Sequence, residues 1–161
     1  MTKEEALKTY FGYDAFRGGQ EPVIDALLSG RDAMGIMPTG AGKSVCYQIP
    51  ALLLPGITLV ISPLVSLMRD QVTQLVQMGV PAAYLNSTLT FKQYLLALER
   101  ARAGRYKIIY VAPERLETEG TRCRLSFRAR PRLGTLCQMK RELRRALGAF
   151  RDELGRDQGG N

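Results

Sequence analysis

The chain has 161 residues, 45% apolar and 24% charged, which suits one soluble domain with a real core and excludes collagenous, mucin-like or wholly disordered chains. Its three cysteines, Cys46, Cys123 and Cys137, form no C-x-x-C pair, so neither a disulfide framework nor a four-sulfur zinc site is expected, and a reduced, cytoplasmic setting fits best. With no histidine, protease triads and H-E-x-x-H metal sites are excluded, and the net charge of +8 is the remaining compositional clue.

The first ten residues carry Lys3, Glu4, Glu5 and Lys8, which fits neither a secretory signal nor a transit peptide. From there to residue 116, short apolar runs alternate with stretches of helical length. The expected helices are Glu21–Leu28, Lys43–Leu54, Leu64–Met78 and Phe91–Ala103; the expected strands are Ala33–Met37, Ile57–Ile61, Ala82–Leu85 and Lys107–Val111. Runs such as ITLVI and KIIYV are apolar on both faces, as strands of a parallel sheet covered on both sides are. The class is therefore α/β. Ser44–Met68 is 25 residues without a charge, but Pro50, Pro55 with Gly56, and Pro63 cut it into pieces too short to span a bilayer. It reads as a buried helix, a turn and a buried strand, and no membrane partner is expected.

The alternation stops near Gly120, and the charge changes with it. Residues 1–120 hold 12 Lys/Arg and 11 Asp/Glu, net +1; residues 121–161 hold 11 and 4, net +7, and ten of those eleven cations are Arg. This shift marks an expected boundary between residues 1–120 and an Arg-rich tail, 121–161. Leu143, Leu147, Phe150 and Leu154 recur at helical steps with Arg between them, so 136–154 is expected to be either a basic amphipathic helix or disordered. A docked, solvent-facing helix is the plain reading of that stretch, and a helix that binds nucleic acid or a partner is the alternative.

The sharpest chemical signal is MPTGAGKS, Met37–Ser44, between an expected strand and an apolar helix. Gly40 and Gly42 permit a tight turn that aims N–H groups at phosphate oxygens, and the helix that follows adds the positive end of its dipole. Lys43 would reach the β- and γ-phosphates, and the Ser44 hydroxyl would join a Mg²⁺ shell. The strict phosphate-loop pattern requires Gly where this chain has Met37. A glycine-rich turn with an incidental lysine is the plain alternative, and the agreement of strand, glycines, Lys-Ser and helix weighs against it. Upstream, FGYDAFRGGQ brings Tyr13, Arg17 and Gln20: a ring and a guanidinium can sandwich a purine, and a Gln amide can read its edge. Local core packing is the plain alternative for these residues.

Taken together, these motifs resemble the start of a RecQ-family DNA helicase, a branch of the superfamily 2 helicases. The resemblance covers Leu7 to about Glu117. FGYDAFRGGQ resembles the adenine-gripping motif 0, with Gly18 where the family has Pro; MPTGAGKS with CYQIPAL resembles motif I, in which Met37 is ordinary; VISPLVSLMRDQV resembles motif Ia; and YVAPERL resembles motif Ib. The resemblance implies part of a RecA-like P-loop NTPase lobe, a parallel sheet flanked by helices. It implies ATP and Mg²⁺ as ligands, with Tyr13, Arg17, Gln20, Thr39, Gly40, Ala41, Gly42, Lys43 and Ser44 around the nucleotide, Ser44 on the Mg²⁺, and Lys43 and Ser44 as the catalytic pair. It also implies a DNA track, single-stranded or forked, touching Ser62, Pro63, Ser66, Asn86, Ser87, Thr88 and Pro113. Helix capping and turn chemistry are the plain reading of Ser62, Ser66 and Thr88. The whole enzyme would translocate 3′ to 5′ in repair and recombination, in a cytoplasmic, nucleoid-associated setting.

Within these 161 residues there is no D-E-A-H box and no hydrophobic strand ending in Asp-Glu after Val111; Asp152 and Glu153 lie in a helical pattern and read as a solvated face. The lobe is therefore expected to be incomplete, the chain is expected not to hydrolyse ATP or unwind DNA by itself, and residues 121–161 are expected to be foreign to the family, as a reading-frame change would make them. The competing reading is a non-enzymatic nucleic-acid- or partner-binding protein that works through the basic tail. A small P-loop kinase of metabolites ranks last, because no acceptor-binding carboxylate can be placed.

Overall fold

The computed structural model describes residues 1–116. A short helix α1, Lys3–Ala6, starts on a capping box in which the Thr2 side chain accepts from the Glu5 amide, and it runs into a π-helical stretch, Leu7–Phe11. Then follow α2 (Gln20–Leu28), α3 (Lys43–Leu53), β1 (Thr58–Ile61), α4 (Val65–Gln77), β2 (Ala82–Leu85), α5 (Phe91–Arg102), β3 (Ile108–Val111) and α6 (Pro113–Leu116). The three strands are parallel in the order β1-β3-β2, with Thr58 and Ala82 both level with Ile108. Chain order and spatial order differ because β1 crosses over one place to β2, and β3 then returns to fill the middle. Crossovers in a parallel sheet share one hand, so connections running in opposite directions put their helices on opposite faces.

Packing follows from that reversal. Along β3, Ile109 and Val111 face the cluster built with Tyr94, Leu98 and Ala101 of α5, whereas Ile108 and Tyr110 face the cluster built with α3 and α4 through Tyr47, Ala51, Met68, Val72 and Leu75. Both faces are covered, as the apolar strand runs lead one to expect. A third cluster joins Ala6, Leu7 and Ile24 to Val45 and Ile49, so α3 is packed between the sheet on one side and α1 with α2 on the other. Pro50 is buried inside α3 without ending it. Each large side chain buried in this way contributes about 1.5–3 kcal/mol.

One expected strand does not form. Ala33–Met37 carries no regular structure, and Met34 and Ile36 are 75% and 92% exposed. A strand exists through its ladder, and β1, whose recorded partner is β3, offers this segment none among the described residues. Gly35, in the middle of the run, adds its own conformational cost to extended pairing. The turn that carries MPTGAGKS therefore follows an exposed connector rather than a strand. Among the described residues no helix is long and apolar enough to cross a membrane, and the Ser44–Met68 stretch is α3, a turn, β1 and the start of α4. The boundary near Gly120 and the expected helix 136–154 lie outside the described residues.

Candidate functional site

Residues 38–44 form a turn that delivers the chain into α3. Gly40 and Gly42 have φ of +83° and +73°, a left-handed conformation that side chains with a Cβ strain to adopt. The carbonyls of this turn are tied down from one side. Arg17 Nη1 donates to the Gly40 oxygen at 3.1 Å, and Gln20 Nε2 donates to the oxygens of Ala41 (3.1 Å) and Gly42 (3.0 Å). Since each peptide plane holds its C=O and N–H on opposite edges, pinning these oxygens turns the following amides the other way. Ala41 spends its N–H on Pro38 at 3.3 Å; those of Gly42, Lys43 and Ser44 have no partner among the described residues. They stand at the N-terminus of an 11-residue helix, the positive end of its dipole.

Lys43 is half-buried at the first position of α3, and its ammonium has no ion-pair or hydrogen-bond partner among the described residues. Ser44 follows it, also half-buried. A cation without a carboxylate, three amides without acceptors and a hydroxyl together form a receptor for an anion of several oxygens. The fit is close: a Cβ built on Gly42 would lie 2.6 Å from Gln20 Nε2. Met37, at the place the strict motif gives to Gly, is held as a packing plug, with its Sδ accepting from Cys46 Sγ at 3.9 Å and its methyl near Gly19 and Gly35.

The three residues expected to hold a purine do gather beside this turn, with different tasks. Gln20, only 3% exposed, is the first residue of α2 behind Gly19 at φ +83°; its Oε1 accepts from the Arg17 amide at 2.8 Å, so its amide is fully engaged with main chain. The Arg17 guanidinium lies 5.6 Å from the centre of the Tyr13 ring, and the pair forms one stacked platform rather than two walls of a slot.

The residues expected along a nucleic-acid track all follow the carboxyl ends of strands, the edge where parallel sheets meet ligands. After β1, the Ser62 amide donates to Val111 O at 3.1 Å and its hydroxyl accepts from the Leu64 amide at 3.3 Å; Pro63 and Ser66 are exposed. After β2, buried Asn86 accepts through Oδ1 from the Thr88 amide and hydroxyl, at 3.0 and 2.7 Å. Among the described residues Asn86 Nδ2 has no acceptor, while Ser87 and Thr88 are exposed. Pro113 opens α6 after β3, and Arg115 Nε holds the Asn86 carbonyl at 3.2 Å. The turn chemistry of Ser62 and Thr88 is thus real, and it fixes loops whose neighbouring Ser66 and Ser87 are open.

Behind the phosphate turn runs a polar chain that sequence reading missed. The Tyr47 and Tyr110 hydroxyls meet at 3.1 Å with rings edge-to-face, and Gln48 Nε2 donates to the Tyr110 hydroxyl at 3.2 Å and to Gln71 Oε1 at 2.9 Å. Burial drives both phenols well above the usual tyrosine range; the Tyr110 and Ser44 hydroxyls partly hold the Tyr47 value down, while the neighbouring Tyr47 adds to the Tyr110 rise. The available signal was the pair Tyr47-Gln48 set into an otherwise apolar helix.

Comparison with known proteins bears on the whole arrangement. Residues 17–129 match the family model described as DEAD/DEAH box helicase. The ATP-dependent DNA helicase RecQ of Pasteurella multocida is 49% identical over 132 residues, covering 79% of this chain and 21% of that protein. That of Haemophilus influenzae is 52% identical over 117 residues, covering 73% and 19%. The RecQ of a Synechocystis strain is 42% identical over 166 residues, covering 97% of this chain and 35% of its own, a match that reaches into the Arg-rich tail. The chain thus spans between a fifth and about a third of the length of these relatives. In fold, it is similar to the crystal structure of a hypothetical ATP-dependent RNA helicase from Sulfolobus tokodaii, with a TM-score of 0.63 at 20% identity over 92% of this chain and 54% of that one. The architecture is that of a RecA-like helicase lobe, present in part.

Proposed function

We propose, since the chain belongs to the DEAD/DEAH box helicase family, that residues 1–116 are the nucleotide-capturing part of a RecQ-type, ATP-dependent DNA helicase lobe. The observation that carries this reading is the receptor at the head of α3: three outward amides, the Lys43 ammonium, unpaired among the described residues, and Ser44, shaped by Gly40 and Gly42. Thr39–Ser44 wraps the phosphates, and Lys43 neutralises the outer ones. Tyr13 and Arg17 give the purine a platform, and Gln20 holds the turn open. Ser44 would hold Mg²⁺, which supplies charge neutralisation between phosphate oxygens. Ser62, Pro63, Ser66, Asn86, Ser87, Thr88 and Pro113 form the rim along which a DNA backbone runs, with neutral donors rather than a wall of cations.

Capture is separate from turnover. Phosphoryl transfer in this class needs a carboxylate on the metal and another that orients water, and a chain without histidine carries no D-E-A-H box within its 161 residues. These 161 residues on their own are therefore expected to bind Mg-ATP and neither to hydrolyse it at a useful rate nor to unwind DNA. A titration of the full chain with a fluorescent ATP analogue and Mg²⁺ tests the first part: Lys43→Ala is expected to weaken binding at least about tenfold, the scale of one charge-assisted contact. Equal affinity in the variant would sink the site assignment. A DNA-stimulated ATPase activity that Lys43→Ala abolishes would overturn the second part.

A further inference from the structure

Among the described residues Phe91 is the most exposed aromatic side chain. It is 75% exposed and belongs to none of the three apolar clusters, whereas Tyr94, the next ring along α5, is 9% exposed and packs against the sheet. The fold puts the Phe91 ring at the edge where parallel sheets meet ligands. β2 ends at Leu85 and the chain enters α5 through residues 86–90, so the first turn of α5 lies beside the carboxyl ends of the strands. Helical side chains lean toward the helix N-terminus, and Phe91 is the first residue of α5, so its ring projects past the helix end toward the loop that carries Ser87 and Thr88.

Hydrogen bonds make the mount of this ring rigid. Thr90 and Gln93 form a capping box, the Thr90 amide donating to Gln93 Oε1 at 3.0 Å and the Gln93 amide to Thr90 Oγ1 at 3.3 Å. On the other side Arg115 Nε donates to the Asn86 carbonyl at 3.2 Å, and its guanidinium lies 5.0 Å from the centre of the Tyr94 ring, one turn beyond Phe91. The surroundings of the ring select its occupant. Ser87, Thr88, Thr90 and Lys92 are all exposed, so Phe91 is a single apolar face set among hydroxyls and a cation, not part of a continuous apolar patch. A protein partner needs the patch. A nucleotide needs an aromatic face for its base and donors for its phosphate.

We propose that Phe91 is a stacking platform for one base of a single strand lying along the strand-end rim. It rests on the reading of that rim given above, and it adds an aromatic contact to the rim's neutral donors. Stacking is indifferent to base identity and involves no charge, so Phe91 contributes affinity with neither sequence preference nor salt dependence.

The chain has no tryptophan, so Phe91→Trp introduces a single indole at the position of the ring. Binding of an end-labelled oligothymidylate to the full chain is followed by anisotropy, and indole emission is read with the unlabelled oligonucleotide. Phe91→Trp is expected to bind within about twofold of the unsubstituted chain, since either ring can stack, and to lose emission as the base covers the indole. Phe91→Ala is expected to bind about tenfold more weakly, the scale of one lost base stack, with the slope of log affinity against log salt unchanged. Unaltered affinity in Phe91→Ala, or constant indole emission while the oligonucleotide binds, overturns the platform and leaves DNA contact to the donors of the rim or to the tail. Emission that shifts with protein concentration before DNA is added marks a contact between protein surfaces and overturns it too. If the unsubstituted chain binds no oligonucleotide, the rim and the platform fall together. Both variants are expected to unfold at the Tm of the unsubstituted chain, because the ring lies outside the core; where Phe91→Ala lowers Tm, the indole signal of Phe91→Trp decides.

Discussion

Gly42 shows how tightly single residues are committed in this chain. Its φ of +73° and the 2.6 Å between a would-be Cβ and Gln20 Nε2 make alanine costly twice over, once in backbone strain and once in displaced hydrogen bonds. Gly42→Ala is expected to destabilise the protein by about 1–3 kcal/mol and to weaken nucleotide binding, both readable from a urea midpoint and a titration on the same sample. The buried phenols make a second expectation. Burial, with the mutual Tyr47–Tyr110 contact, raises the folded pKa of Tyr110 above its unfolded value near 10, and burial raises that of Tyr47 too. The native state then holds protons that the unfolded chain releases, so their stabilisation is complete below about pH 10 and is lost as pH rises through the folded values. Urea unfolding between pH 9 and 11 should show stability falling by about 1.4 kcal/mol in total for each such phenol, most of it above pH 10, with a smaller fall in Tyr110→Phe. A flat profile would mean that neither phenol is held neutral by the fold. At this scale the sequence was clear about Lys43, Ser44 and the two glycines, because loop geometry dictates residue type. It was silent about Gln20 acting on main-chain carbonyls, since a glutamine can serve many acceptors and only neighbours choose among them.

At the scale of elements, the expected helices and all but one of the expected strands form within a residue or so at each end, as with α5 starting at Phe91 and β2 spanning Ala82–Leu85, whereas the short helical pieces Lys3–Ala6, Leu7–Phe11 and Pro113–Leu116 were not expected. Local composition decides these because each helix carries its own stripe and each strand its own apolar run. Ala33–Met37 is the exception and explains itself: the residues are strand-like, but a ladder has to be supplied from elsewhere. The consequence is measurable. Ile36 is 92% exposed, so Ile36→Lys should change unfolding free energy by no more than about 0.5 kcal/mol, where a central strand residue would cost several. A large loss in urea unfolding would show that this segment is paired in solution.

For the molecule as a whole, charge and topology act apart. The strand-end rim is lined by serines, threonine, asparagine and proline, and residues 1–120 carry net +1, whereas net +7 falls on 121–161. If DNA lies on the rim, affinity for single-stranded DNA should change little when Arg144, Arg145 and Arg151 are replaced by Gln, and the dependence on salt should be shallow. If the tail does the binding, the same substitutions should reduce the slope of log affinity against log salt by about 2 and weaken every sequence alike. Fluorescence anisotropy at several salt concentrations decides between them. The order β1-β3-β2, and with it the gathering of three loops at one edge, could not be read from the chain, because strand neighbours are chosen by which faces the crossovers bury and not by any one segment. What the amino acids fixed alone was local and periodic: the α/β alternation, the glycine turn into α3, and the family to which they are similar, each a property of neighbours along the chain. What tertiary structure decided was everything that needs a distant partner: the connector before the turn, without a ladder among the described residues, Gln20 as a clamp, and the phenol–amide chain from Tyr47 to α4. A hydrogen bond or a ladder belongs to two segments, and neither one alone contains it.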